Sequence, residues 1–273
     1  MIKSIHRIAA VGAIGAGVAL AAAMPAGAAI GPTVASVQQA GFATTGAQFR
    51  NVRQSFTLPD ASTFAPEIGG FGLSVHLWSA HSVVVLGVSN STVPGNYSAA
   101  AAVFNPVAKT TVCSTAGSGT GLCAGVPANW TDGSVSFAPG DFVTESIFYS
   151  RTAGTTQFTV TDVTSGQSLI YIRHAGTGIS WNQARLGAEF GCTPWTSCGT
   201  GPVPYNAPAN AVTLASISRA GLTTYSGHRD GISSWWTRSK IEWTRNGLLT
   251  GAVNARATNL SSSGTAFSVR LQP

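Results

Sequence analysis

FVTESIFYSRTAGTTQFTVTDVTSGQSLIYIRH, residues 142–174, reads as three strands joined by two turns. From Phe142 to Tyr149, Thr156 to Val163 and Leu169 to His174, apolar positions alternate with polar ones, the period of a strand with one face against a core. Thr152-Ala153-Gly154 and Thr164-Ser165-Gly166 separate them with turn chemistry. The same grammar extends in both directions. Upstream lie Phe49, Val52, Phe56 and Leu58 ahead of Pro59, then Leu73, Val75 and Leu77, Val83 to Val88, and Val135 to Phe137. Downstream lie Val212 to Ile217, Trp235 to Trp243 and Phe267 to Leu271, with turn signals at Asn246-Gly247 and from Ser261 to Gly264. Ala138-Pro139-Gly140-Asp141 is a further turn. Ala99 to Ala102 has a helix-like composition, but between Gly95 and Pro106, beside Tyr97, Val103 and Phe104, it reads as a strand lined with small residues. So many short strands at near-regular spacing imply an all-β sandwich or barrel.

The chain of 273 residues is 44% hydrophobic and only 9% charged, which excludes a charge-laced helical bundle and intrinsic disorder. Lys3, His6 and Arg7 precede an apolar run from Ile8 to Ala23, followed by the small-x-small pattern Ala26-Gly27-Ala28. The run is shorter than the roughly 20 residues of a spanning helix, so residues 1–28 read as a secretory signal peptide and 29–273 as one secreted, extracellular domain. No later stretch is long enough for stable membrane insertion. The remainder carries 13 basic and 9 acidic residues, a formal +4, with its arginines scattered. That pattern excludes nucleic acid as a partner and leaves an anionic cell wall as a candidate surface. Export makes two disulfides the natural use of Cys113, Cys123, Cys192 and Cys198, local staples 113–123 and 192–198 being the simplest of three connectivities. Neither spacing suits zinc.

Nine carboxylates restrict the acid–base chemistry available. Asp132, Asp141 and Asp162 lie at turns, where Asp caps backbone N–H groups. Glu145, Glu189 and Glu242 are the acid–base candidates, with pairing to an Arg on an exposed strand face as the structural alternative for Glu145 and Glu242. His76, His81, His174 and His228 form no metal-binding pair, and no G-x-S-x-G elbow is present, so neither a metal nor an organic cofactor is expected. Trp78, Trp130, Trp181, Trp195, Trp235, Trp236 and Trp243 serve either as core or as stacking surfaces in a groove.

Ala40-Gly41-Phe42-Ala43-Thr44-Thr45-Gly46 followed by Phe49 to Pro59 resembles the opening of the eqolisins, the glutamic peptidases. Leu73 to Trp78, Val83 to Val88, Tyr97 to Pro106, Phe137 to Asp141, Thr159 to Ser168 and Ser263 to Val269 follow in the family's order, over nearly the whole of residues 29–273. The resemblance implies a concanavalin-like sandwich of two curved antiparallel sheets with a substrate groove on the concave face. In active members a Glu serves as general base on water and a Gln stabilises the tetrahedral intermediate, in acid. Here the family's Gln strand is similar to Val83 to Val88, so Val85 or Leu86 occupies the Gln position. Ala188-Glu189-Phe190 resembles the setting of the catalytic Glu, which makes Glu189 the general base if the protein is active; another register places Ala184-Arg185 there. Tyr97, Phe104, Trp78 and Trp181 are the candidate groove-binding residues, Tyr97 and Phe104 lying on the strand similar to the family's groove strand.

Loss of an amide that stabilises an oxyanion costs about 2.7–4 kcal/mol in such sites. The leading expectation is therefore a secreted eqolisin-like protein without efficient peptidase activity, binding polypeptide or glycan in its groove. The alternatives are an acid endopeptidase with a rearranged partner, Gln54 or Gln183, and a structural or adhesive module of the cell wall.

Overall fold

In the computed structural model, which describes residues 31–60, 62, 71–90, 97–105, 110–115, 137–190, 205–227, 229–232 and 237–273, the alternation of residues 142–174 becomes a three-stranded meander. Strands β8 (Phe142–Ser150), β9 (Thr155–Asp162) and β10 (Gln167–His174) pair antiparallel, Ser150 opposite Thr155 and Asp162 opposite Gln167. Val143, Ile147, Tyr149, Phe158, Val160, Leu169 and Tyr171 turn to one face and are buried. The turns need backbone at positive φ, which Gly154 (63°) and Gly166 (76°) supply. Asp162 caps its turn by accepting from the Thr164 N–H at 2.9 Å, and Asp141 accepts from the Ala138 N–H at 2.7 Å, the turn roles expected of both.

The other strands are β1 (Gly31–Ser36), β2 (Gln39–Thr45), β3 (Phe49–Thr57), β4 (Phe71–Trp78), β5 (Val83–Asn90), β6 (Tyr97–Asn105) and β7 (Thr110–Thr115). After the meander come β11 (Gln183–Phe190), β12 (Val212–Thr224), β13 (Arg229–Asp230), β14 (Thr237–Thr244), β15 (Val253–Ala257) and β16 (Phe267–Leu271). Hydrogen bonds link them in the order β10-β9-β8-β3-β12-β16-β15-β14-β2-β11-β4-β5-β6-β7, with β13 on β12 and β1 parallel on β14. Every other pairing is antiparallel. The path curls so that β3 and β8 lie across β4, β5 and β11, giving two curved layers: β10-β9-β8-β3-β12-β16 and β14-β2-β11-β4-β5-β6-β7. The protein is thus the all-β sandwich expected, with Ala99–Ala102 inside strand β6.

The main core fills the space between the layers. Val52 and Phe56 of β3 face Leu73, Val75 and Leu77 of β4 and Val84, Leu86 and Val88 of β5, all with essentially no exposure. Trp181 and Tyr97 belong here, a correction to their expected place in the groove. Trp181 is 0% exposed and meets Tyr149 edge-on at 5.7 Å, since the segment entering β11 turns its large ring inward, where apolar burial is greatest. Tyr97 packs against Phe71 and donates its hydroxyl to the Pro59 carbonyl at 2.6 Å. A second, small cluster of Val83, Val85 and Ala100, with Trp78 against it, occupies the other face of the β4–β5–β6 layer.

Residues 1–28, Cys123, Cys192 and Cys198, and the side chains of Phe104 and Cys113, lie outside what the structure describes. Among the described residues, no helix is long and apolar enough to cross a membrane.

Candidate functional site

Strand parity decides which residues can share the concave face. Since Leu73, Val75 and Leu77 point into the core, Ser74, His76 and Trp78 point the other way. Register then fixes their neighbours. His76 lies opposite Arg185 on β11 and Val85 on β5, so Arg185, His76 and Val85 form one row across the sheet. The adjacent row is Gly41, Gly187, Ser74, Gly87 and Ala100, nearly devoid of side chains. One strand pair closes it tightly: a Cβ at Gly187 would stand 2.3 Å from the Ala40 carbonyl oxygen, and one at Gly41 would stand 2.1 Å from that of Leu186. Beyond this gap, Gln39 and Glu189 are cross-strand partners.

Because Gly187 carries no side chain, Glu189 and His76 meet across this row, with the Ser74 hydroxyl touching both. Glu189 Oε2 is 3.3 Å from His76 Nε2 and accepts from the Ser74 hydroxyl at 3.3 Å. The Ser74 hydroxyl is also 2.9 Å from His76 Nε2. Ser, His and Glu therefore assemble, but serine and carboxylate both approach the same ring nitrogen, while Nδ1 is buried without a partner. A relay needs the two on opposite ring nitrogens, so this is no nucleophile triad. Arg185 donates to Gln39 Oε1 at 3.1 Å and Gln183 Oε1 at 3.2 Å, and stacks its guanidinium 4.1 Å from the Trp78 ring centroid. Burial pulls the Arg185 guanidinium below its ordinary value and Glu189 pulls it back. Gln39, Ser74 and His76 are buried and Glu189 is 8% exposed, whereas Trp78, Gln183 and Arg185 are half-buried and form the accessible edge. A void of about 10 Å³ lies among Gln39, Ser74, His76 and Arg185, room for a water at most.

Beneath the floor a second polar pair is sealed in the core. Gln54 shares the inward parity of Val52 and Phe56, and its amide donates to Glu145 Oε1 at 2.7 Å, with the Ser74 and Gly187 carbonyls at 3.1 and 3.3 Å. Both residues are fully buried. Burial drives the Glu145 carboxyl well above the usual carboxylate range, against the pull of the Gln54 amide and the Val88 backbone. This corrects the expected exposed pairing of Glu145 with Arg. Glu242 is half-buried on β14 and lies opposite Arg256 in the strand register.

The structure thus brings Glu189 beside His76, Ser74 and Gln39, links Gln39 through Arg185 to the Trp78 ring, and places Val85 in the row of His76 and Arg185. Gln54 is turned away from Glu189, and Gln183 holds Arg185. Sequence reasoning passed over Gln39 and Ser74. The signal for Gln39 was its place just ahead of Ala40-Gly41, paired by register with the end of β11. Among the described residues no group of three or more His, Cys, Asp or Glu is arranged to hold a metal.

No family model matches the chain, and no curated protein matches it. Solved structures do. Scytalido-glutamic peptidase with a transition-state analog inhibitor superposes with a TM-score of 0.56 at 14% identity, covering 85% of this chain and 97% of the other. SCP-B, a member of the eqolisin family of peptidases, solved with the tripeptide Ala-Ile-His, gives 0.51 at 13%, covering 85% and 98%. At such identities the likeness establishes the fold: this is an eqolisin-like sandwich.

Proposed function

We propose that the protein is a secreted, eqolisin-like binder of extended polypeptide that does not hydrolyse it efficiently. One observation carries this reading: the Glu189 carboxylate is nearly buried and held by His76 and Ser74, while Val85, at the position of the family's catalytic amide, lies beyond the glycine row beside His76. A general base needs room for its water and for the scissile carbonyl together, and the void beside His76 and Ser74 holds one water at most. What remains accessible is Trp78 under the Arg185 guanidinium, beside Gln183. An indole face, a cation and an amide suit a peptide's aromatic or aliphatic side chain and its carbonyl or carboxylate groups. The apolar run at residues 8–23 and the small-residue pattern after it support export.

The test is binding of fluorescein-labelled peptides from digested casein, followed by anisotropy, with Trp78→Ala and Arg185→Gln beside the native chain. Saturable binding that either substitution weakens about tenfold is expected. Absence of saturable binding to the native chain, or binding indifferent to both changes, contradicts the reading.

A second reading has its own observation. Gln39 stands directly opposite Glu189, a Gln–Glu pair on neighbouring strands of the concave layer. An acid endopeptidase working through that pair would lose its activity on Gln39→Ala as well as on Glu189→Gln.

A further inference from the structure

A depression lies away from this face, on the outer surface of the other layer, where β3 passes between β8 and β12. Its volume of about 410 Å³ falls within the range of small-molecule sites. Arg50 and Arg53 line it with Asn51, Thr223 and Thr265, and no acidic residue is among its lining residues. Neither arginine is ion-paired with a carboxylate among the described residues. Arg50 is held instead against the Phe148 ring, 4.8 Å from its centroid, and Arg151 adds a further cation nearby, over Tyr225. The depression exists because glycines clear it: a Cβ at Gly221 would come within 3.0 Å of Arg53 Nε, and one at Gly231 within 2.9 Å of Thr265 Cγ2.

Two guanidiniums with no ion-paired carboxylate among the described residues, beside hydroxyl and amide groups, match a carboxylate on a hydroxylated body. We propose that this depression binds a small organic anion of sugar-acid size, its carboxylate on Arg50 and Arg53 and its hydroxyls toward Asn51, Thr223 and Thr265. The site is independent of the polypeptide-binding face, which belongs to the other layer.

The experiment is calorimetric titration of the full chain with glucuronate, with glucose as the neutral control and inorganic phosphate as competitor. Arg53→Gln and Arg50→Gln are compared with Arg219→Gln, an exposed arginine on the neighbouring strand β12 that does not line the depression. Saturable 1:1 binding of glucuronate, weakened about tenfold by either lining substitution and untouched by Arg219→Gln, is expected. No saturable binding overturns the proposal. So does an equal loss on Arg219→Gln, which would reveal diffuse surface charge, or phosphate competing as well as glucuronate, which would reveal a plain oxyanion site. Unchanged melting temperatures of the variants exclude misfolding as the cause of any loss.

Discussion

Glu145 carries the sharpest consequence at the scale of a single residue. A carboxyl whose native value lies above its ordinary 4.5 keeps in the folded state a proton that the unfolded chain releases. Its contribution to stability is full below that ordinary value and is lost as pH rises through the native one. Melting temperature is therefore expected to fall from acid toward neutrality, and Glu145→Gln, which keeps shape and removes the proton equilibrium, is expected to flatten that fall. Melting curves from about pH 3 to about pH 8 check it; parallel profiles for the two proteins contradict it. Gln54 shows what alternation alone reveals. It falls two residues from Val52 and from Phe56, so its inward direction was legible in the sequence, and with it the impossibility of serving a concave groove. His76 was legible in the same way, opposite in parity to Leu73, Val75 and Leu77. Its meeting with Glu189 was not, because that depends on register and on the missing side chain of Gly187.

At the scale of elements, the contact of β2 with β11 is the most constrained part of the concave layer. Gly187 combines φ +143° with a Cβ position 2.3 Å from the Ala40 carbonyl oxygen, so Gly187→Ala must separate the two strands. A loss of at least about 2 kcal/mol, read from the urea midpoint, is expected; a change below about 0.5 kcal/mol, the ordinary range of a surface substitution, contradicts the close approach. Strands with strict alternation, β8, β9 and β10, were readable from their residues, as was β5 from its unbroken apolar run. β15 was not: Val253–Ala257 is short, polar at Asn254 and Arg256, and owes its pairing to β14 and β16 on either side. The interior place of Trp181 escaped for a similar reason, since its segment has no period of its own and follows the turn at Gly178.

For the whole molecule, sandwich architecture followed from many short amphipathic strands, while the curl that joins all of them into one hydrogen-bonded path is a tertiary fact. That fold can carry hydrolysis or be retained for binding alone, and only the site distinguishes the two. Here the concave face holds its carboxylate in a closed network and exposes a cation on an indole. The most direct measurement is an overnight digestion of denatured casein by the purified chain from about pH 2 to about pH 7, beside Glu189→Gln. No cleavage at any pH, by either protein, is the expected result; cleavage in acid that Glu189→Gln abolishes would contradict it and make this a working peptidase.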